Sequence, residues 1–167
     1  TNGLTLCRQL AARLPDGYRT PIGDGRAYGA ALLDPSVIYT GFVAACQRAG
    51  LALHYVAHVT GHGWRKLMRL DAPFVHQIDV VRPAPPVFDF IVTHGPVTRQ
   101  EAYATFNMGV GFAAWVASDE ADACVELARG AGYDAWRAGR VRREGDRKAV
   151  VVPALDLTFD AASLNLR

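Results

Sequence analysis

The chain has 167 residues, of which 50% are hydrophobic and 20% charged, and its formal net charge is +2 at pH 7. This length is enough for one domain with a hydrophobic core, and the composition is that of a globular protein rather than a disordered or fibrous one. The small net charge gives no reason to expect nucleic acid or a membrane as a partner, and no apolar run reaches the roughly 18 residues of a membrane-spanning helix.

The first third of the chain is predicted to contain two helices separated by a loop. Leu6, Leu10 and Leu14 share one helical face, and Asn2 is a candidate cap for that helix. Residues 15–29 are rich in glycine and proline and are predicted to form the loop. A second helix is predicted from Asp34-Pro35 to Gly50, since Asp can cap, Pro suits the first turn and Gly suits the end. The three cysteines, which form no C-x-x-C pair, are expected to be reduced core thiols of a cytoplasmic protein.

The middle of the chain alternates predicted strands with short helices. Strands are predicted over residues 51–59 and 75–81, a glycine turn at 61–63, and helices over 64–70 and 87–92.

The last part of the chain is predicted to contain two helices and four strands. Thr98 and Glu101 match a capping box, which predicts a helix ending near Phe106. The apolar run 110–116 predicts a buried central strand. The remaining expectations are a helix over 119–130 with Ala123, Val125 and Leu127 inward, strands over 133–141 and 148–152 joined as a hairpin by a turn at 144–146, and a half-buried strand after Pro153 that carries Leu155, Leu157 and Phe159. These elements predict an α/β (α+β) fold: a single domain with a mixed, mainly antiparallel sheet and packed helices.

Two glycine-containing segments, residues 57–63 and 105–111, are the candidate ligand-binding elements. Glycine lets the backbone approach a ligand closely, and the amide of Asn107 offers both donors and an acceptor. A strand, a glycine turn and a helix start in succession can bind an anion at unpaired backbone N–H groups. The alternatives are that Gly61 and Gly63 only permit a positive φ angle, and that Asn107 only satisfies the backbone at a helix end.

Two other clusters have a simpler interpretation. His54, His58 and His62 could ligate zinc if they shared a helical face, but the segment is strand-like, so we expect no metal site. The basic residues between 137 and 148 are interrupted by acidic ones, which indicates a solvated hairpin rather than a nucleic-acid surface. No P-loop, G-x-G-x-x-G motif or nucleophile–base pair is evident from spacing.

Six segments in order carry a resemblance to a known family. They are TNGLTL at 1–6, LLDPSVIY at 32–39, AHVTGHG at 57–63, PVF at 86–88, YATFNMGVG at 103–111 and AWRAGRV at 135–141. Together they resemble motifs of the C-terminal domain of the aminoimidazole ribonucleotide synthetase (phosphoribosylformylglycinamidine cyclo-ligase) family, such as A-H-L-T-G-G-G and T-F-N-M-G. The resemblance covers residues 1–152, and residues 153–167 are expected to be a C-terminal extension packed on the same domain.

The resemblance implies a role in purine biosynthesis as a ligase: the ATP-dependent cyclisation of formylglycinamidine ribonucleotide to aminoimidazole ribonucleotide. ATP and Mg²⁺ would be bound mainly by an N-terminal domain that is absent from this chain, so the chain alone is expected to be inactive. The full-length enzyme is expected to be a cytoplasmic homodimer that binds a small-molecule ribonucleotide. Because the first residue is Thr1, we expect the natural product to be longer.

The resemblance also implies which residues form the site. The candidate catalytic residue is His58, and no residue is expected to bind metal. The candidate substrate-binding residues are Asn2, Thr60, Gly61, His62, Gly63, Asn107, Met108 and Gly109. Three positions depart from the family motifs, since His62 replaces a glycine and Val37 and Ala104 replace arginines. Two alternatives are therefore a ligand-binding or regulatory domain of the same fold without catalysis, and a related ATP-dependent enzyme with another substrate.

Overall fold

A computed structural model describes residues 3–161 of the chain. The helices are α1 (Leu4–Ala11), α2 (Tyr28–Leu32), α3 (Thr40–Arg48), α4 (Pro86–His94), α5 (Arg99–Thr105) and α6 (Ala121–Gly130). The strands are β1 (Tyr55–His58), β2 (Val75–Ile78), β3 (Phe112–Trp115), β4 (Gly139–Arg142), β5 (Ala149–Val152) and β6 (Leu157–Asp160). Short 3-10 helices cover Gly17–Arg19, Gly63–Arg69, Ser118–Glu120 and Pro153–Leu155.

The described backbone separates into two compact units. Unit 1 consists of residues 3–36, 59–64 and 82–111, and unit 2 of residues 37–58, 65–81 and 112–161. Unit 1 therefore contains both glycine-rich turns, at 61–63 and 107–109, whereas unit 2 contains the strands.

Unit 1 is helical and has an aromatic core. The ring of Tyr28 is fully buried, lies 4.9 Å from that of Phe90, and its hydroxyl donates to the carbonyl oxygen of Cys7 over 3.4 Å. Helix α5 begins with the predicted capping box: the Thr98 hydroxyl accepts from the Glu101 N–H, and the Glu101 carboxylate accepts from the Thr98 N–H. Helices α4 and α5 confirm two of the sequence predictions. Helix α1 is present as predicted, but its N-cap is Gly3 and it ends at Ala11, before Leu14.

Unit 2 contains two sheets and a helix pair. Strands β1 and β3 form an antiparallel pair, and the second sheet has the order β4-β2-β5-β6. In that sheet β2 is parallel to β5, and its other pairings are antiparallel. Helices α3 and α6 pack through a buried cluster of Phe42, Cys46, Cys124 and Ala128, against which Phe112 and Ala114 of β3 lie. The predicted fold class, α/β with mixed, mainly antiparallel strands and packed helices, is confirmed.

The predicted helix start at Asp34-Pro35 is wrong. Helix α3 begins at Thr40, while the short helix α2, which lies partly in the predicted loop, ends at Leu32. The Asp34 carboxylate accepts two hydrogen bonds from Arg26 Nη1, at 2.8 and 3.0 Å, instead of capping a helix. The predicted end is correct, since Gly50 has a φ of 69° just after the last turn of α3.

The predicted hairpin of the strands that correspond to β4 and β5 is also wrong. The turn exists, because the Arg147 N–H donates to the Glu144 carbonyl oxygen. However, β2 lies between β4 and β5 and pairs with both. Local turn residues cannot reveal such an insertion, because the inserted strand comes from about 65 residues earlier in the chain.

Two predictions about burial need correction. Strand β3 is not a buried central strand, since it has one partner and its four residues are half-buried. On α6 the buried side chains are Cys124 and Ala128, whereas the predicted inward residue Ala123 is exposed.

Strand β6 confirms the predicted alternation after Pro153. Leu157 and Phe159 are buried and Thr158 and Asp160 are exposed, while β6 pairs antiparallel with β5. Leu155 lies in the preceding 3-10 helix. Residues 162–167 lie outside the described residues, and the division of the chain at residue 152 stays a prediction. Within residues 3–161, none of the helices is both long and apolar enough to cross a membrane.

Candidate functional site

The glycine turn at residues 61–63 uses its two glycines for different reasons. Gly61 has a φ of 73° and open space where a Cβ would lie, so only its backbone conformation favours glycine. Gly63 has a φ of 52°, and a Cβ there would collide with the carbonyl oxygens of Tyr103 and Phe106 at the end of α5. The His62 N–H donates to the Thr60 carbonyl oxygen over 2.8 Å, which closes the turn.

Residues 107–110 form a tight turn directly after α5. The Val110 N–H donates to the Asn107 carbonyl oxygen over 2.9 Å. Both central residues are left-handed, with φ angles of 50° at Met108 and 91° at Gly109. Both values are those of a type I′ turn. For Met108 this conformation is unfavourable by about 1–2 kcal/mol, and the buried environment of its side chain offsets the strain.

The Asn107 side chain closes a second ring in this turn. Its Oδ1 accepts a hydrogen bond from the Gly109 N–H over 3.0 Å. Such a bond from an Asn side chain to the N–H two residues later is an Asx turn. Gly109 is held from the other side, since a Cβ at that position would come within 2.6 Å of Pro85 Cδ.

Trp64 joins the two turns. Its indole Nε1–H donates to the Asn107 carbonyl oxygen over 2.9 Å, and its ring packs edge-on against Tyr103 at 4.9 Å. A second link is the hydrogen bond from the Val59 N–H to the Gly111 carbonyl oxygen, 2.8 Å long. The structure therefore brings together Thr60, Gly61, His62 and Gly63 with Asn107, Met108 and Gly109.

Sequence reasoning missed Trp64 as a site residue. The sequence did contain an indication, since Trp64 directly follows Gly63. A buried tryptophan usually needs a hydrogen-bond partner for its indole N–H. Trp64 is 4% exposed.

The candidate residues outside these turns have different surroundings. Asn2 lies outside the described residues; its neighbour Gly3, with a φ of 77°, leaves no room for a Cβ beside the Phe106 ring. His58 belongs to unit 2, where it is exposed at the end of β1 and its ring lies edge-on to Tyr39 at 5.8 Å. The Tyr39 ring stacks with Phe112 at 5.0 Å and with Tyr133 at 5.7 Å. These two contacts hold the Tyr39 ring in place beside His58.

The cations that follow the glycine turn lie on a 3-10 helix rather than an α-helix. This helix covers Gly63–Arg69, and its residues from Arg65 onward belong to unit 2. Burial lowers the pKa of Lys66, and the positive charge of Arg69 lowers it further. A nearby anion would stabilise the ammonium form of such a lysine, because opposite charges attract.

Unit 2 also contains a buried histidine. The Trp115 Nε1–H donates to His76 Nδ1 over 3.1 Å, and His76 is 2% exposed. Burial, with a smaller contribution from Lys148, lowers the pKa of His76 to about 4. His76 is therefore neutral near pH 7, with its proton on Nε2 because Nδ1 accepts.

Metal-binding and thiol chemistry have weak support in the described part of the chain. Across residues 3–161, no three His, Cys, Asp or Glu side chains come together as a metal site would require. Cys7, Cys46 and Cys124 are buried and unpaired by disulfides, as predicted. Burial raises the pKa of the Cys46 thiol, and it raises that of Cys124 to about 11.

Comparison with known proteins gives one family. The family model described as AIR synthase related protein, C-terminal domain, matches residues 17–152. A phosphoribosylformylglycinamidine cyclo-ligase of Burkholderia multivorans is 33% identical over 157 residues, which are 91% of this chain and 44% of that protein. The protein of the same name in Methanococcus maripaludis strain C7 is 31% identical over 84% of this chain and 40% of its own. The cyclo-ligase of a Cyanothece strain is 43% identical over 108 residues, which are 63% of this chain and 29% of that protein.

The match in length is partial, and the fold is also similar to that of solved structures. The chain spans less than half the length of these curated relatives. The crystal structure of tt0281 from Thermus thermophilus aligns with a TM-score of 0.52 and 19% sequence identity, covering 93% of this chain and 48% of that one. At this identity the likeness concerns the fold alone.

Proposed function

Because this chain belongs to the AIR synthase related family, as its C-terminal domain, we propose that it acts as the C-terminal domain of a phosphoribosylformylglycinamidine cyclo-ligase. The observation that carries the proposal is the hydrogen bond between Trp64 and Asn107. It holds together the two segments that match the family motifs A-H-L-T-G-G-G and T-F-N-M-G. A site assembled from two distant motifs is what a shared ligand would require.

The proposed reaction closes an imidazole ring on a ribonucleotide. Formylglycinamidine ribonucleotide is the substrate, ATP is the second substrate, and aminoimidazole ribonucleotide, ADP and phosphate are the products. The reaction forms one C–N bond, and the formyl oxygen leaves with the phosphoryl group of ATP. An amide oxygen is otherwise a poor leaving group, which is why a ligase of this type uses ATP.

The described residues of this chain do not suit Mg²⁺-ATP. Mg²⁺ prefers carboxylate and other oxygen ligands, and within residues 3–161 no three or more His, Cys, Asp or Glu side chains are grouped so that they could hold a metal ion. We therefore assign Mg²⁺-ATP mainly to a further domain of a longer protein, which is also proposed to be a cytoplasmic homodimer.

The part assigned to this chain is recognition of the ribonucleotide. Asn107 and the turn at residues 61–63 are the proposed contacts, with Met108 and Gly109 contributing backbone groups. Met108 is 4% exposed, so its side chain supports the turn rather than the ligand. His58 is proposed as the catalytic side chain because it is exposed and its ring is held by Tyr39.

The test is a ring-closure assay on the longer protein that contains this chain. We expect formylglycinamidine ribonucleotide to be converted to aminoimidazole ribonucleotide, with one ADP formed per ring. The same protein with Asn107→Ala is the control, and its turnover should fall while ATP binding is retained. A folded wild-type protein that binds ATP but closes no ring would overturn the proposal.

A second candidate is an ATP-dependent enzyme of the same family with another substrate. The observation in its favour is His62, a half-buried side chain where the family motif has glycine. Turnover of a different ribonucleotide by the longer protein, with none of formylglycinamidine ribonucleotide, would favour this candidate. Ligand binding without any turnover would instead favour a regulatory domain.

A further inference from the structure

The side-chain amide of Asn107 has a fixed orientation. The Gly109 N–H lies 3.0 Å from one terminal atom of this amide. A backbone N–H can only donate, so the atom that faces it must be the oxygen, Oδ1. The two ends of an amide are otherwise difficult to distinguish, and here the turn itself distinguishes them.

The backbone that carries this amide is held at both ends of the turn. The Asn107 carbonyl oxygen accepts from the Trp64 indole N–H at 2.9 Å and from the Val110 N–H at 2.9 Å. The carbonyl oxygen has two lone pairs, and these two bonds use both. The Asn107 peptide therefore cannot rotate without breaking two hydrogen bonds, and the amide keeps its direction before any ligand binds.

The nitrogen end of the same amide has no such partner. Among the described residues, no hydrogen bond of Asn107 Nδ2 is found, and the side chain is half-buried rather than enclosed. Nδ2 carries two N–H groups and no acceptor. Its two donors are both available to a ligand, whereas one of the two lone pairs of Oδ1 already accepts the Gly109 N–H.

We propose that Asn107 recognises its ligand as a hydrogen-bond donor, so that the ligand atom it contacts is an oxygen acceptor. That oxygen belongs to a phosphate, hydroxyl or carbonyl group, whereas a ligand that presents only N–H donors, such as an amidinium, cannot pair with the Nδ2 donors. The sequence prediction gave the amide both roles at once, and the proposal assigns it the donor role. The identity of the ligand as a ribonucleotide rests on the proposed function, but the donor role of Asn107 does not.

The substitution Asn107→Asp tests this role with little change of shape. The aspartate oxygen can still accept from the Gly109 N–H, so the turn is retained, while the two donors become an acceptor. Gln100→Glu is the matched control, because it makes the same change of charge on the exposed face of α5 in unit 1. The folded state of each variant is checked by its melting temperature and by the Gly109 amide resonance.

The measurement is an NMR titration of the ¹⁵N-labelled chain with two probes. Ribose 5-phosphate presents phosphate and hydroxyl oxygens, and acetamidine, which is protonated to acetamidinium near neutral pH, presents only N–H donors. In the wild-type chain, ribose 5-phosphate should shift the Asn107 side-chain resonances and acetamidine should not. Asn107→Asp should weaken ribose 5-phosphate binding by about tenfold or more, and Gln100→Glu by less than about twofold.

The outcomes separate this inference from the proposed function. Acetamidine binding at Asn107, no shift of its side chain by ribose 5-phosphate, or unchanged affinity in folded Asn107→Asp would each overturn the donor role. The wild-type comparison of the two probes decides the question even if Asn107→Asp does not fold. Failure of the longer protein to close the ring, with the probe preference intact, would overturn the proposed function alone.

Discussion

The indole N–H of Trp64 donates to the carbonyl oxygen of Asn107 over 2.9 Å, although the two residues are 43 positions apart in sequence. Trp64 comes immediately after the glycine turn, and Asn107 is the first residue of the second turn. The contact between the indole ring and Tyr103, at 4.9 Å, holds the donor against the end of α5. One side chain thus sets the separation of the two segments that we propose bind the ligand.

Trp64→Phe should remove this hydrogen bond and keep most of the packing against Tyr103. We expect the free energy of unfolding to fall by about 1 kcal/mol, the usual net value of such a bond. Amide exchange at Val110 should become faster, because its acceptor, the Asn107 carbonyl oxygen, is no longer held. Urea denaturation and hydrogen exchange measured by NMR are the two readouts.

The control for Trp64 is Trp136→Phe in unit 2. The Trp136 indole N–H also donates to a backbone carbonyl oxygen, that of Val80, over 3.1 Å. This variant should lose comparable stability and leave Val110 exchange unchanged. Equal exchange at Val110 in the two variants would show that Trp64 does not hold the turn.

The two glycines of the first turn should respond differently to alanine. Gly61→Ala meets no neighbouring atom within 4 Å and should cost about 1 kcal/mol, since only its φ of 73° is unfavourable for alanine. Gly63→Ala combines a φ of 52° with collisions against Tyr103 and Phe106 carbonyl oxygens, and should cost about 3 kcal/mol or more. Urea denaturation of both variants compares them, and equal losses would contradict this account.

The parts of the fold that could be predicted from sequence are those with local causes. The capping box, which involves only the four residues from Thr98 to Glu101, determines the start of α5. The alternation of apolar Leu157 and Phe159 with polar residues identifies β6. The predicted hairpin failed because the partner of β4 and β5 is β2, which no local pattern identifies.

The same limit applies to the candidate site. Glycines and an asparagine beside them could be recognised as turn residues from sequence, and the turns are present. The sequence could not reveal that Trp64 connects them, because that contact joins distant segments. It also could not reveal that Asn107 Oδ1 is occupied by the Gly109 N–H, since this depends on the left-handed conformation of Met108.

Unfolding should become easier at acidic pH because of His76. Its folded-state pKa of about 4 lies below the ordinary value of 6.5. Below pH 6.5 the His76 imidazole takes up a proton in the unfolded chain, whereas in the folded chain it stays neutral until the pH approaches 4. The stability contributed by neutral His76 is therefore complete above 6.5 and is lost as the pH falls towards 4. The loss should be about 2–3 kcal/mol between about pH 7 and pH 4.5.

His76→Asn provides the comparison for this pH dependence. The asparagine Oδ1 can accept from the Trp115 indole N–H in place of Nδ1, and the side chain does not titrate. Carboxylates contribute equally to both proteins, so the difference between their urea unfolding free energies isolates His76. If the unfolding free energies of the wild-type chain and the variant changed in parallel with pH, His76 would not resist protonation in the folded chain.

The 167-residue chain alone should hydrolyse no ATP. Mg²⁺-triphosphate needs carboxylates and a group of phosphate-binding donors, and residues 3–161 include no cluster of three or more His, Cys, Asp or Glu side chains that could hold a metal ion. ADP formation is measured with and without Mg²⁺ at high enzyme concentration. Magnesium-dependent ADP production by the purified chain would contradict the assignment of ATP to another domain.

Asn107→Ala should separate the structural contribution of this residue from its role in the site. The substitution removes the bond between Oδ1 and the Gly109 N–H, so we expect stability to fall by about 1 kcal/mol. It also removes both Nδ2 donors, and in the longer enzyme kcat/KM should fall by the equivalent of about 1–3 kcal/mol, roughly 5- to 150-fold. The measurements are the melting temperature and kcat/KM for formylglycinamidine ribonucleotide. A large loss of stability with normal turnover would make Asn107 a purely structural residue.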